Sequence, residues 1–369
     1  MLKEKAVVVA DFGSSKINVY AGMSNAYNNL NIISKCEQEY EGFISGKFIE
    51  IEKVGKAFLS AINIIQANLN QKITKIFVGV PSEFCFLTTN DYSLNFKIKT
   101  KILQKQLDFL FNQNLAKSLQ GKTLINKSAI SYKIDGKSTI HPLSKQAKLL
   151  EARVCEVYAE NYFINLLRKI VENLNIELEF LSTTLAQGNY LLDNEQKQNG
   201  VVLVDCGFSS TSVSYHLGEG LTNLKSFSLG GGHITSDLQE ILNLPYAQAE
   251  QLKQKLILTI KPSPLDVYTL NILENAVEIS VKTVNDIALA RIEVIANAIN
   301  KCLQAFENKI ADDKEVYITG GGLAYLKGIK NYLSKILKRK IIILAPPPMQ
   351  FNRPHLSSMI SLLHVAINS

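Results

Sequence analysis

A chain of 369 residues, 46% hydrophobic and 20% charged, is long enough for about two domains with their own cores and is not disordered in composition. Its formal charge of +7 comes from scattered lysines; the densest cluster, LKRK at Leu337–Lys340, ends a predicted helix where positive charge suits the macrodipole, and with no compact basic stripe neither a nucleic-acid nor an anionic-membrane partner is expected from it. Cys36, Cys85, Cys155, Cys206 and Cys302 stand far apart with no CxxC or Cys/His spacing, which offers no zinc site and reads as free thiols in a reducing compartment.

The opening MLKEKAVVVADFG has too short an apolar run for a secretory signal. No stretch reaches the roughly twenty apolar residues of a membrane span, so a cytoplasmic location is expected. The run Ala6–Ala10 ends at Asp11, a tight Gly-Ser-Ser turn follows, and the alternating KINVYAG returns. This predicts a hairpin whose first strand is buried on both faces. The same plan recurs in GVVLVDCGFSSTSVSYHLG: Val201–Val204, Asp205, a glycine and hydroxyl turn, then alternating TSVSYHL. Glycine lets backbone N–H groups converge on an anion, and serine or threonine hydroxyls add donors. An acid at each strand end can hold Mg²⁺ through water or orient an attacking water. Two such hairpins facing each other would grip a polyphosphate from both sides.

Further along, LGGGHITSDLQEIL leads into a helix with Thr235, Ser236 and Asp237 as candidate N-caps. In AQAEQLKQKL, Glu250 and Lys253 are one helical turn apart, a spacing that by itself reads as a solvated salt bridge. TVNDIALARIEVIANAINKCLQAFENK predicts a long amphipathic helix with Ile287, Ile292, Ile295, Ile299 and Leu303 inward. The buried strand Val316–Thr319 runs into Gly320, Gly321 and Gly322, then a predicted helix carrying Leu323, Leu326, Ile329 and Leu333. Glycines there let a flat ring or sugar lie against the backbone. APPPMQFNRP reads as a stiff linker without ligand chemistry.

The order of these elements resembles the superfamily of actin, sugar kinases and DnaK-type chaperones, and within it the chain is most similar to the FtsA family of bacterial cell-division proteins. The segments that carry the resemblance are GFISGKFIEIEKVGKAFLSAI, KITKIFVGVPSEF, LGGGHITSDL with the later AEQLK, YITGGGLAYLKGI and SSMISLLHVA. The resemblance implies an α/β, actin-like (ribonuclease H-like) two-lobed ATPase fold with an FtsA-type inserted subdomain. Lobe one would take residues 1–81, 151–198 and the C-terminal segment 346–369, with the subdomain at 82–150. Lobe two would take 199–253 and 311–345, with an insertion at 254–310.

By the same resemblance, Asp11, Gly13, Ser14, Ser15 and Lys16 would form the first phosphate loop, and Asp205, Gly207, Ser209, Ser210 and Thr211 the second. Asp11 and Asp205 would be the catalytic carboxylates and hold Mg²⁺ through water. Glu250 and Lys253 would approach ribose and adenine, and Gly320–Gly322 would lie beneath the nucleoside. The cofactors implied are ATP and Mg²⁺. An ammonium at Lys16 suits β- and γ-phosphates because it neutralises charge without bidentate geometry. Arg291 stands at a position similar to the arginine with which the family binds the C-terminal tail of the tubulin-like protein FtsZ.

The chain departs from the family in three places. Phe208 and Ser209 stand where the second loop of the family favours glycines, Ser212 stands where a second aspartate is common, and no linker with an amphipathic membrane-binding helix is expected after LLHVAINS. The first two weaken the expected nucleotide grip and make hydrolysis slow at most; the third leaves no direct membrane tether in view. The expected function is an ATP-binding division scaffold that self-associates into filaments and links FtsZ-type filaments to other division proteins. The alternative is a nucleotide-degenerate adaptor of the same fold in division or in a pilus or secretion platform. A small-molecule kinase would need a catalytic carboxylate facing a sugar-sized cleft, and no motif marks one.

Overall fold

The computed structural model describes residues 6–24, 30–44, 46–112, 119–272, 275–306 and 310–369. Val7–Phe12 is apolar on both faces and takes a central place with a neighbour on each side. Lys16–Ser24 folds back on it antiparallel, with Asp11 opposite Asn18, and Lys75–Val80 lies parallel on the other side. The five-stranded sheet runs in the order Glu177–Ser182, Lys75–Val80, Val7–Phe12, Lys16–Ser24, Leu30–Glu39. The second half repeats this order strand for strand: Ile341–Ile343, Val316–Thr319, Val201–Cys206, Thr211–Leu217, Gly220–Phe227. The two sheets thus share more than their opening hairpins. The fold is α/β and actin-like.

Helices cover the sheets through apolar stripes. Ile51–Leu69 turns Val54, Phe58, Ile62 and Ile65 onto the first sheet and ends at Asn70, whose φ of 49° suits an αL cap. Val281–Gln304 buries Ile292, Ile295, Ile299 and Leu303 in the second core, with Ile287 partly buried. The last residues of its quoted segment, 307–309, lie outside the described residues. The closing helix Ser357–Ile367 returns to the first sheet, where Leu362 and Leu363 pack with Val9, Tyr20 and Phe77. Gly79 makes room for it, since a Cβ there would strike Leu362.

A third, antiparallel sheet is inserted between Lys75–Val80 and Glu177–Ser182. Its order is Cys85–Lys101, Gln146–Glu160, Lys122–Ile134, Lys137–Thr139, and the helix Gln104–Asn112 closes a small core of its own with Leu107 and Leu110. The expected boundary at 150 falls inside Gln146–Glu160, which stays paired with Cys85–Lys101 as far as Ala159. The boundary at 253 falls inside the helix Tyr246–Lys255.

Three local expectations change. The helix after LGGG starts at Gly231, so Thr235, Ser236 and Asp237 lie within it and do not cap it. The helix after Gly320–Gly322 starts only at Ile329, from Gly328 in the left-handed region, and Leu323 and Leu326 are buried in the turns before it. The proline-rich stretch contains two short 3-10 turns, Met349–Phe351 and Pro354–Leu356. Because Leu362 is fully buried under the first sheet, Leu362→Ala should lower the unfolding free energy in urea by about 3 kcal/mol. The same truncation at Ile241, 63% exposed, should change it by less than about 0.5 kcal/mol.

Candidate functional site

The two hairpin turns are built alike. The Gly13 N–H donates to the Lys16 carbonyl at 3.0 Å, and the Gly207 N–H to the Ser210 carbonyl at 2.9 Å. They also touch: the Ser209 N–H donates to Ser14 Oγ at 3.1 Å, joining segments 195 residues apart. Beside them opens a cavity of about 780 Å³, a size ordinary for small-molecule sites. It gathers Asp11, Gly13, Ser14, Ser15 and Lys16 from the first hairpin with Asp205, Gly207 and Ser210 from the second. Glu250, Lys253 and Gly320–Gly322 complete its walls.

Three predicted residues lie elsewhere. Ser209 spends its N–H on the clasp with Ser14. Thr211 faces inward from its strand, and its hydroxyl donates to the Leu229 carbonyl at 2.7 Å, so it holds the hairpin. Arg291 is outside the cavity, in a two-pronged pair with Asp237 at 2.6 Å and 2.7 Å that joins two helices.

Asp11 and Asp205 stand near the ends of the two central strands, Asp11 buried and Asp205 partly buried. Burial pushes the Asp11 carboxyl up to about 6, and the Asp205 charge adds to the shift; the hydroxyl of Ser358, donating at 2.6 Å, opposes it. Burial raises Asp205 as well, against an amide hydrogen bond from Gln187 at 2.6 Å. Lys16 Nζ meets Glu37 at 2.6 Å, and this partner, with the Tyr20 hydroxyl, holds the Glu37 carboxyl below its usual range.

On the second lobe's side, Glu250 and Lys253 are not a solvated pair. Lys253 Nζ reaches Glu250 at 2.6 Å, Thr235 Oγ1 at 3.0 Å and the Gly231 carbonyl at 3.3 Å, while Thr235 donates to Glu250 at 2.6 Å. Lys253 is 7% exposed, and a buried charge held by three partners fixes the wall of the cavity. Gly320 has φ +88° and sits where a Cβ would strike Asp205 and the Cys206 carbonyl, so this turn demands glycine.

The expectation for Phe208 is that it crowds the backbone's approach to phosphate. Its ring, 42% exposed, lies against Gly232, where a Cβ would come within 2.7 Å of it. The second loop also takes up donors of the helix behind it: Gly231 N–H bonds the Gly207 carbonyl at 2.9 Å and Gly232 N–H the Phe208 carbonyl at 2.7 Å. A helix N-terminus is a ready anion site when its N–H groups are free; here these two are spent on the loop.

Other lining residues escape the motif reading: Asn18, Glu83, Thr183, Thr184, Gln187, Tyr325, Pro354, His355 and Ser358. Thr183 and Thr184 follow a buried strand directly, as the Asp-Gly turns do, and that is the available signal. Pro354 and His355 come from the stretch that reads as a linker. Tyr325 and His355 meet, hydroxyl to Nδ1, at 2.5 Å. Asn18 Oδ1 and Thr183 Oγ1 are buried without a hydrogen-bond partner, and such atoms point to a ligand or water. Oxygens from Asp11, Asp205, Asn18 and Thr183 are the donor chemistry a hard cation prefers. Among the described residues no group of three or more His, Cys, Asp or Glu could hold a metal, so Mg²⁺ here would draw its remaining ligands from phosphate and water.

Residues 202–361 match the family model described as cell division protein FtsA. The FtsA of Neisseria meningitidis serogroup B is 23% identical over 385 residues, covering 99% of this chain and 91% of the relative. That of Bacillus subtilis is 21% identical, covering 99% and 84%. Among solved structures, a chain of the PilM–PilN type IV pilus biogenesis complex superposes with a TM-score of 0.61 at 12% identity, covering 98% of both chains. MreB5 of Spiroplasma citri bound to AMPPNP gives 0.58 at 11%, covering 97% of this chain and 96% of that one. At these identities the structural matches speak for the fold.

The carboxyl of Asp11, raised from 3.8 to about 6, holds its proton more tightly in the folded chain than in the unfolded one. Its stabilising share is therefore complete below pH 3.8 and lost as pH rises through about 6. Asp11→Asn should raise the unfolding free energy at pH 7.5 by about 2 kcal/mol and leave it nearly unchanged near pH 3.5. Urea unfolding at the two pH values reads this; equal effects at both would show that Asp11 is not held at such a cost.

Proposed function

We propose, from the premise that this chain is a divergent FtsA-like protein of the actin fold, that it is a cell-division scaffold whose cleft binds ATP with Mg²⁺. One observation carries the reading: both Asp-Gly hairpins, the buried Lys253–Glu250 pair and the Gly320–Gly322 turn converge on one cavity of nucleotide size. The bound AMPPNP named for the MreB5 structure supports a nucleotide in a cleft of this fold. In this reading the hydroxyls and N–H groups of the first hairpin hold the β- and γ-phosphates, with Lys16 released from Glu37 to neutralise them. Asp11 and Asp205 hold the Mg²⁺ hydration shell, which supplies charge neutralisation at the phosphates. The nucleoside lies on Gly320–Gly322 between Lys253 and the Tyr325–His355 pair.

Hydrolysis, where it occurs, is slow: Asp205 is held by Gln187 and can orient a water, but no further acid stands in the second loop, where Ser212 takes that place. Self-association into filaments and linkage to FtsZ and other division proteins complete the proposed role at the division site, reached from the cytoplasm. Among the described residues no helix is long and apolar enough to cross a membrane. An FtsZ-type tail engaging Arg291 would have to share or displace Asp237. The second reading, an adaptor that has lost its nucleotide, is favoured by Phe208 alone, because its loop consumes the helix N–H groups and its ring covers Gly232.

Calorimetric titration with ATP and Mg²⁺ separates the two. A scaffold of this kind should bind at micromolar concentration. Gly321→Val should abolish binding with no loss of fold, since a Cβ at Gly321 meets only His355 Cβ, at 3.2 Å. Unchanged binding in Gly321→Val would refute the cleft assignment. A wild type that fails to bind beside a Phe208→Gly variant that does would establish the adaptor.

A further inference from the structure

The inserted sheet carries charge out of proportion to its size. Residues 85–160 hold twelve Lys and Arg against six Asp and Glu, a surplus of six in a chain whose whole formal charge is +7. Most of the surplus charge that looked scattered along the chain thus lies in this one inserted segment. Cys85–Lys101 leaves the first lobe at Cys85 and runs 17 residues outward, about 50 Å at strand rise, and Gln146–Glu160 returns beside it.

Their outer ends lie together. Lys101 pairs with Gln146, the Ile102 N–H donates to the Lys145 carbonyl at 2.8 Å, and Lys145 Nζ reaches Thr139 at 2.5 Å. This end bears the exposed side chains of Lys97, Lys99, Lys101, Lys137, Lys145 and Lys148, with Lys105 at the start of the adjoining helix. None of the seven forms an ion pair among the described residues. Asp135 lies near Lys99 and Lys148, but its carboxylate is occupied by the N–H groups of Lys148 and Leu149, at 2.9 Å and 2.8 Å.

Large apolar side chains protrude among these lysines. Ile98 is 74% exposed and Phe109 60%; Leu103, Ile140 and Leu143 are each more than two-fifths exposed. Their buried neighbours Leu107, Leu110 and Leu150 fill the subdomain's own core, so the protruding ones have no packing role inside it.

We propose that this outer end docks on an anionic lipid surface, lysines at the headgroups and the apolar side chains in the interface. Every basic group named here is a lysine, a point charge on a flexible stem. That suits a diffuse field of headgroups better than the bidentate recognition of one carboxylate, which arginine provides. Lysine stems can lie along apolar surface while the ammonium stays in water, so lysines from both faces of a projecting sheet can meet a plane approached end-on. Interleaved apolar groups add insertion at the acyl boundary. This surface is independent of the cleft, and its test does not rely on nucleotide.

The test sediments the full chain with phosphatidylcholine vesicles, with and without about 30% phosphatidylglycerol, at about 50 and about 500 mM salt. The wild type should partition to the anionic vesicles only and leave them at high salt. Lys99→Glu/Lys101→Glu/Lys145→Glu should weaken partition by about tenfold or more. The control Lys169→Glu/Lys282→Glu/Lys301→Glu, with the same net charge but exposed lysines elsewhere, should change it by about threefold at most. Ile98→Ser/Phe109→Ser should weaken partition by about threefold or more at constant charge. Thermal unfolding verifies that each variant is folded. Equal loss in the two lysine triples, no partition by the wild type, or equal partition to neutral vesicles would overturn the proposal. So would capture by polyglutamate without partition to vesicles, which would assign the surface to an acidic protein.

Discussion

Asp11, buried, and Asp205, partly buried, stand near the ends of two central strands, and the charge of Asp205 raises the cost of charging Asp11. Much of the molecule is placed around that pair. The two sheets repeat one strand order, so each delivers an acid at the corresponding point. Each acid then receives one neutral donor from an element outside its own hairpin: Ser358 from the closing helix and Gln187 from the helix Thr183–Leu191. The closing helix is thus more than cover for the first sheet, since the residues that bury Leu362 and Leu363 also set the serine that faces Asp11. Neutral donors stabilise a buried carboxylate only in part, and the balance is what a bound cation would supply.

The same economy of partners marks the rest of the cleft. Lys16 lies on Glu37, the second loop occupies the N–H groups of Gly231 and Gly232, and Ser209 reaches Ser14. A polyphosphate would exchange these hydrogen bonds for its own, and the gain in each exchange is the difference between two bonds of similar kind. The unpartnered oxygens of Asn18 and Thr183 are different, because a ligand or water can satisfy them without displacing any protein group.

The hairpins were legible in the sequence because everything that makes them is local: a buried strand, an acid, a glycine and an alternating return. The five-stranded order and the partners of the acids were not, because Ser358 and Asp11 are 347 residues apart and no spacing links them. Glu250 and Lys253 show the opposite error. Their one-turn separation reads as a surface pair, and only the approach of Thr235 and Gly231 from another helix makes it a buried one. That approach also explains the misread caps: Thr235 joins this network, Ser236 bonds back to the Gly232 carbonyl, and Asp237 takes Arg291. Residues with strong capping preference were recruited by tertiary partners within the helix. Thr211 was drawn inward by its strand parity, which a loop motif cannot see.

The insertion joins this cleft more directly than its position in the chain suggests. Glu83, on the cleft wall, lies two residues before the start of the outward strand Cys85–Lys101, and the returning strand Gln146–Glu160 leads through the helix Asn161–Val171 to Glu177–Ser182 and then Thr183, on the wall again. The ladder between those roots is continuous apart from one register shift near its outer end. The shift leaves residues 96–99 out of register with the returning strand, and pairing resumes at Thr100 and Lys101.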